Sequence, residues 1–388
     1  MYVYTIFKTI FSPMKVSHLI LAIVFSLSLN AQNAECIKAY NEAVEYVKQK
    51  DYKSAVTAYT QAISHDPTYD KAYYNRGTAL LRLKDYSKAQ LDFAKTVKLS
   101  PEYGRGHYYL GYSKMKLDDY KGALVDFSRA LKFDESLTDA YYYRGFIQMK
   151  DNNLEKAVKD FEDAAQIDPE NHKLHYNAGL CNYKLENYTE AINSFTMVLE
   201  IEPNYNKSQY YRGMSFLKLG KQDMAIEDFT AGINAKPTVE LLYNRGLIYS
   251  KKEDFGNALN DYISVLKIKP EHIPSLKNSA NIYLKQKDYR AAANVFEQLQ
   301  KLEKEEDSHY LNAGICHFNA GTYADGLKSL NALIERKPEH VEALFNRANT
   351  FAKLGQMESA CKDIRRSAEL GFDKAFEYVA SYCDKSGN

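Results

Sequence analysis

Nine histidines and five cysteines are the residues to weigh first for chemistry in this 388-residue chain. His172 and His175 stand three apart, a spacing that puts two imidazoles on one helix face, yet no cysteine or carboxylate arrangement completes a metal site around them. His309 and His317 fall on one expected helix and read as incidental. No glycine-rich phosphate loop and no nucleophile elbow is present, and no serine or cysteine has a recognisable base in a shared motif. The expectation is therefore no metal, no cofactor and no catalytic residue. Cys181 and Cys316 occupy equivalent small-residue positions and are expected in the core. Cys361 and Cys383 lie almost symmetrically about Gly371-Phe372, so two antiparallel helices meeting there would set them opposite each other. In an exported protein that favours a disulfide; two separately buried thiols are the alternative.

What could bind rather than react is periodic. Asp70 to Pro101 carries two amphipathic runs of helical period, and the pattern returns at a step of 34 residues. Counting places from Asp70, small residues recur at the eighth and twentieth, as in Gly77 and Ala89, then Gly111 and Ala123, then Gly145 and Ala157. A ring recurs at the twenty-fourth: Phe93, Phe127, Phe161, Phe195 and Phe229. Gly or Ala permits close helix approach, a ring fills the space beside it, and a closing proline stops the second helix. One helix pair cannot bury its apolar face alone, so such pairs must stack.

The pattern resembles the tetratricopeptide repeat, and the resemblance runs from about Cys36 to the C-terminus. It implies an all-α, right-handed superhelical solenoid of about ten helix–turn–helix repeats that binds peptides in its concave groove. Ten repeats are expected over residues 36–371, in one continuous array, and residues 372–388 form a closing helix and tail with Ala375, Val379 and Tyr382 on its packing face. Repeat three ends at Glu135 instead of proline. Repeat seven arrives one residue early, and repeat eight ends in the charged Lys301–Lys304, where a bend or helix extension is expected.

The second, fifth, ninth and twelfth places share one face of the first helix, which the resemblance assigns to the groove. The fifth is tyrosine in seven consecutive repeats, from Tyr40 to Tyr243. Tyr74, Tyr108, Tyr142, Tyr176, Tyr210 and Tyr243 are the candidate contact ladder. The sixth is often asparagine, including Asn75, Asn177, Asn244 and Asn312, whose amides could both donate to and accept from an extended backbone. Lys71, Arg105, Lys173 and Lys207 add positive charge at the second place and favour an acidic partner. Both residue types also belong to the general family pattern and could serve only the fold. Lysine or arginine at the thirteenth place suits the end of a helix dipole. Some family members clamp a chaperone's C-terminal carboxylate. Lys277, Asn281 and Asn312 match the start of that clamp, but Glu342 and Asn346 stand where its two cations belong, which opposes a carboxylate ligand.

A further expectation comes from variation among the repeats. Arginine fills the seventh place in five repeats, as Arg76, Arg144, Arg212, Arg245 and Arg347, and each has aspartate at its twenty-third: Asp92, Asp160, Asp228, Asp261 and Asp363. An ion pair between the two helices of each such repeat is expected. Asp126 also fills the twenty-third place but stands opposite Leu110.

Net charge is +1 with the signs interspersed, which gives no electrostatic case for nucleic acid. Residues 1–31 stand apart from the repeats: Lys15, the eleven apolar-run residues Leu19 to Leu29, then Asn30-Ala31-Gln32 read as a signal peptide, with Met14 a more natural start than Met1. The run is too short for a comfortable membrane span, which needs about 20 residues; cleavage is expected, with an uncleaved anchor as the alternative. Glu35 before Cys36 departs from a lipoprotein site. The reading is an exported, non-catalytic protein-binding scaffold of a bacterial periplasm or outer envelope. The alternatives are an envelope enzyme with an unrecognised site and a glycan binder. Amino-terminal sequencing of the mature protein is expected to begin near Gln32. Soluble cytoplasmic protein that retains Met1 or Met14 would overturn export.

Overall fold

The computed structural model describes residues 33–383, and the expected signal segment lies outside them. Among the described residues the chain is helical throughout, as ten helix pairs followed by a short closing helix. The first helix of a repeat typically has 13 residues and the second 14, as in Asp70–Arg82 and Tyr86–Leu99. Tyr120–Phe133 keeps the 14-residue length although Glu135 replaces the proline. The expected extension in repeat eight does not occur, since Tyr289–Leu302 is again 14 residues. Glu303 ends it by receiving Lys277 Nζ at 2.9 Å and contacting His309 Nε2 at 2.7 Å.

The helix pairs fall into two compact units, Met1–Glu202 and Pro203–Asn388. Each stacks five helix pairs, and the second also carries the closing helix. Nothing in the repeat register marks the division, because Tyr176 and Tyr210 still lie 34 residues apart.

Within each pair the first helix ends the same way, and in five pairs an aspartate then caps the second. Lys84 N–H donates to the Leu81 carbonyl at 3.0 Å and Asp85 N–H to the Leu80 carbonyl at 2.9 Å, a Schellman ending. The Asp85 carboxylate then accepts from Lys88 N–H and caps the second helix. One residue thus closes one helix and opens the next. The ending forces the fifteenth place into the left-handed region. Glycine serves there as Gly220, Gly321 and Gly355, but Lys50, Lys84, Asp118, Asn152, Glu186, Glu253 and Lys287 adopt it with φ of 59–63°.

The core repeats as well. Phe93, Phe127, Phe161, Phe195 and Phe229 are fully buried, each against the eighth-place residue of its own repeat. A methyl on Gly77 would stand 2.8 Å from the Phe93 ring, and one on Gly213 would stand 2.6 Å from the Phe229 ring. The ring therefore occupies the volume that a larger eighth residue would need.

All five Arg–Asp pairs form, with closest N–O distances of 2.6–2.7 Å. Each guanidinium grips both carboxylate oxygens, as Arg144 does Asp160 through Nε at 2.9 Å and Nη2 at 2.6 Å. Four of the arginines reach a third helix. Their Nη1 groups donate to Thr60, Ser128, Thr230 and Asn331, each at the twenty-fifth place of the preceding repeat. Asp126 takes its cation from elsewhere: Lys114, one turn past Leu110, lies 2.6 Å from it. Burial raises the Asp92, Asp160 and Asp228 carboxyls, and the guanidinium contacts offset that cost in part.

The closing helix starts at Asp373 and packs Ala375 and Val379 against Ala348, Ile364 and Ala368. The side chain of Tyr382 lies outside the described residues. Cys361 and Cys383 form a disulfide with their Cα atoms 5.6 Å apart, which fastens this helix to the last repeat. Cross-linking residues 22 apart stabilises by roughly 3 kcal/mol in the chain-entropy model.

Arg144→Met leaves Asp160 buried without its cation and is expected to lower stability by roughly 2–4 kcal/mol. Arg144→Met/Asp160→Leu should recover much of that loss. Denaturant titration of both variants checks this, and a double variant as unstable as the single one would exclude pairing as the cause. Lys84→Gly and Glu186→Gly relieve the left-handed strain and should each raise stability by about 0.5–1 kcal/mol, read from the thermal midpoint.

Candidate functional site

The fifth-place tyrosines are anchored before they are available to anything else. Each packs on the twenty-fourth-place ring of its own repeat, with centroids 5.9 Å apart for Tyr74–Phe93 and 6.0 Å for Tyr108–Phe127. The same pairing holds at 6.1 Å for Tyr142–Phe161 and 5.9 Å for Tyr176–Phe195 in the first unit. In the second unit Tyr210–Phe229 and Tyr243–Tyr262 stand at 6.3 and 6.0 Å. All six candidate rings are half-buried. Burial among neighbouring rings and the Asp139 charge push the Tyr108 phenol well above its usual range, and burial does the same for Tyr74 and Tyr210. They remain neutral hydroxyls at physiological pH.

The sixth place attends the tyrosine before it. Asn75 Nδ2 donates to Tyr40 Oη at 2.6 Å, and Asn278 Nδ2 to Tyr243 Oη at 3.4 Å, across a repeat boundary in each case. Asn244 turns its amide back to the Glu240 carbonyl at 2.8 Å. Each of these amides thus already makes one hydrogen bond within the fold. Asn177 and Asn312 are half-buried.

In repeats three, four and six the sixth place is itself tyrosine, and in repeats three and four the rings fuse into one wall. Tyr109 lies 5.7 Å from Tyr74 and 4.8 Å from Tyr108, while Tyr143 lies 6.4 Å from Tyr108, 5.3 Å from Tyr112 and 5.2 Å from Tyr142. Thus Tyr74, Tyr108 and Tyr142 are joined through Tyr109 and Tyr143. Tyr176 lies one repeat further along, on Phe195. The sixth-place rings were not among the residues expected in the site. Their only sign in the sequence is adjacent tyrosines, at Tyr108-Tyr109 and Tyr142-Tyr143. Beside this wall Phe146 at the ninth place is 39% exposed. Lys71, Arg105 and Lys173 are exposed at the second place, with Asp139 breaking the run of cations.

The clamp-like residues of the second unit do not form an anion site. Lys277 is paired with Glu303, whose carboxylate is held below the usual range by the Lys277 and His309 contacts. An internal carboxylate thus already engages that lysine. Asn281 is exposed. The thirteenth-place cations also have local work: Lys150 stacks over Tyr120 at 4.0 Å and Lys285 over Phe255 at 5.4 Å, each ring belonging to the preceding repeat.

The remaining chemistry-bearing residues are structural. Cys181 and Cys316 are buried, and burial pushes both thiols up to about 11, far from a reactive thiolate at neutral pH. His107 and His175 bond the carbonyls of Pro101 and Pro169, and His317 bridges Glu297 and Thr322. Among the described residues no group of three or more His, Cys, Asp or Glu could hold a metal ion. No described helix is long and apolar enough to cross a membrane.

Comparisons with known proteins agree with this architecture. Residues 17–210, half of the chain, match the tetratricopeptide repeat protein 21 C-terminal ARM domain, and tetratricopeptide repeat models match residues 239–272, 278–333 and 318–371. Human protein unc-45 homolog B is 29% identical over 98 residues, 24% of this chain and 10% of that protein. Human intraflagellar transport protein 88 homolog is 28% identical over 141 residues, 34% of this chain and 17% of that one. The alignments thus span a small part of both relatives. The solved C-terminal part of a TPR repeat-containing protein from Cytophaga hutchinsonii has a TM-score of 0.55 at 19% identity, covering 62% of this chain and 98% of that one. A helix pair that returns at a fixed step, locked in eight repeats by a ring against a small residue, together with the family model over residues 17–210 and the repeat models over 239–371, makes this chain a tetratricopeptide repeat protein.

Proposed function

We propose that the chain is a non-catalytic interaction scaffold that binds an extended polypeptide along the tyrosine wall of its first unit. The observation that carries this reading is the wall itself, in which half-buried rings are held rigid by their own packing and bordered by the exposed Phe146. Rings fixed in this way offer contact area with little rotamer entropy left to lose. Some pairs pack edge to face, as Tyr142–Tyr143 does at 77°, and others are tilted, as Tyr108–Tyr143 is at 34°, so the wall presents both rims and hydroxyls. Lys71, Arg105 and Lys173 favour acidic residues in the partner and a salt-sensitive association. The proposed setting is the bacterial envelope, reached through the signal-like residues 1–31.

The anchoring of the fifth-place rings decides how this is tested. Tyr142→Ala/Tyr176→Ala removes two core partners and is expected to lower the thermal midpoint. Tyr112→Ala/Phe146→Ala alters the wall with less effect on stability, and should weaken an acidic peptide selected by display at least about tenfold, or 1.4 kcal/mol. Unchanged affinity in that folded variant, measured by calorimetry on the full chain, would remove the wall from the binding site.

A further inference from the structure

Three positions meet wherever the second helices of consecutive repeats lie side by side: the seventh and twenty-third of one repeat and the twenty-fifth of the repeat before. At four such meetings a guanidinium fills the space, held by aspartate on one side and by Thr60, Ser128, Thr230 or Asn331 on the other. Repeat nine has no arginine there but Ala313, Ser329 and the preceding Glu297. Its space is closed by other means. Gln300 Nε2 donates to Ser329 Oγ at 3.2 Å and to the His309 carbonyl at 3.3 Å, and His317 Nε2 meets Glu297 at 3.0 Å.

Repeat five carries the same three residue types, as Ala178, Ser194 and the preceding Glu162. Neither closing device is present: Ala165 stands at the place of Gln300, and Asn182 at the place of His317. An open cleft of about 630 Å³ occupies this position, lined by Glu162, Ala165, His175, Ala178 and Ser194 among others.

We propose that this cleft is a socket for an arginine side chain of a partner protein. The chain itself shows which chemistry the position accepts, since guanidinium groups fill its counterparts. Where Arg76 and Arg144 sit, they also lie over the fourth-place rings of Tyr73 and Tyr141, at 5.6 and 5.5 Å. The fourth place of repeat five is His175, whose ring lines the cleft and is held by the Pro169 carbonyl at 2.9 Å. Ser194 Oγ already donates to the Glu190 carbonyl at 2.9 Å, so what it has left to offer is lone pairs. Glu162 is acidic where the filled counterparts have a neutral Ser, Thr or Asn, so it supplies the negative charge that Ser194 lacks. Partial burial and the neighbouring Asp163 raise the Glu162 carboxyl, and a bound cation would relieve both effects. A guanidinium donates in a planar fork and accepts nothing, which matches the Glu162 carboxylate, the Ser194 lone pairs and the side-chain oxygens of Gln166 and Asn193 that line the cleft beside the His175 ring; a lysine ammonium matches only the charge.

Calorimetry on the full chain with the peptide acetyl-Gly-Gly-Arg-Gly-Gly-amide tests this, against the same peptide carrying neutral, isosteric citrulline. The arginine peptide should bind at least about tenfold more tightly, as a charge-assisted contact requires. Glu162→Gln should erase most of that preference. Ala178→Arg/Ser194→Asp builds the internal pair into the cleft, and should abolish binding while keeping or raising the thermal midpoint. Equal binding of the citrulline peptide, binding that survives in the filled variant, or no saturable binding of the arginine peptide would each overturn the proposal. Tighter binding of free arginine amide than of the peptide would also overturn it, by assigning the cleft to a small guanidinium compound. None of these readouts involves the tyrosine wall, so the two proposals stand or fall separately.

Discussion

The contact on which the first eight repeats depend is the ring of the second helix pressed onto the small eighth residue of the first; Leu330 and Ile364 take the ring's place in repeats nine and ten. Where the eighth residue is glycine, the Phe229 ring lies where a methyl on Gly213 would stand only 2.6 Å away. The close approach sets the separation of the two helices, and the fifth-place tyrosine then covers the ring from the other side. Everything further out inherits its position from this three-residue contact. The sixth-place amide or ring finds the preceding tyrosine because that tyrosine cannot move, and the groove face is stiff for the same reason. Overpacking the eighth place would therefore displace the helices themselves, since a buried phenyl has nowhere to retreat.

Electrostatics act one level up, between helices already placed. A buried ion pair is weak evidence for stability, because desolvation consumes most of the attraction. What the Arg–Asp pairs add is geometric. A planar fork that holds both oxygens of a carboxylate can satisfy only one arrangement of its two helices, and its remaining nitrogen reaches a third. The twenty-fifth place follows suit: the repeats before Arg76, Arg144, Arg245 and Arg347 carry Thr60, Ser128, Thr230 and Asn331, whereas Ala94 and Ile263 precede repeats without the arginine.

Much of this was legible in the sequence, because a repeat supplies its own comparisons. Period, packing positions and the Arg–Asp pairing all come from variation at a fixed register, which ten copies make visible. The misreadings share a physical cause. Asp126 was set against Leu110 because the comparison matched like places, while Lys114 reaches it from one turn away with a long, pliable stem. The partners of Asn75 and Asn244 within the fold, a tyrosine hydroxyl and a backbone carbonyl, are defined only in three dimensions. Repeat eight promised a longer second helix from its charged ending, yet Glu303 gathers a lysine and a histidine and stops it.

The third-helix reach of the arginines has a consequence for how the stack comes apart. In the first unit it joins repeat one to repeat two through Arg76 and Thr60, and repeat three to repeat four through Arg144 and Ser128. It has no counterpart between repeats two and three, where Ala94 and Leu110 stand, or between four and five, where the cleft lies. In a linear array stability is a sum of intrinsic terms and nearest-neighbour couplings. Removing the fork at one boundary, at Arg76 or Arg144, would therefore loosen that boundary and leave its neighbours to their ring packing.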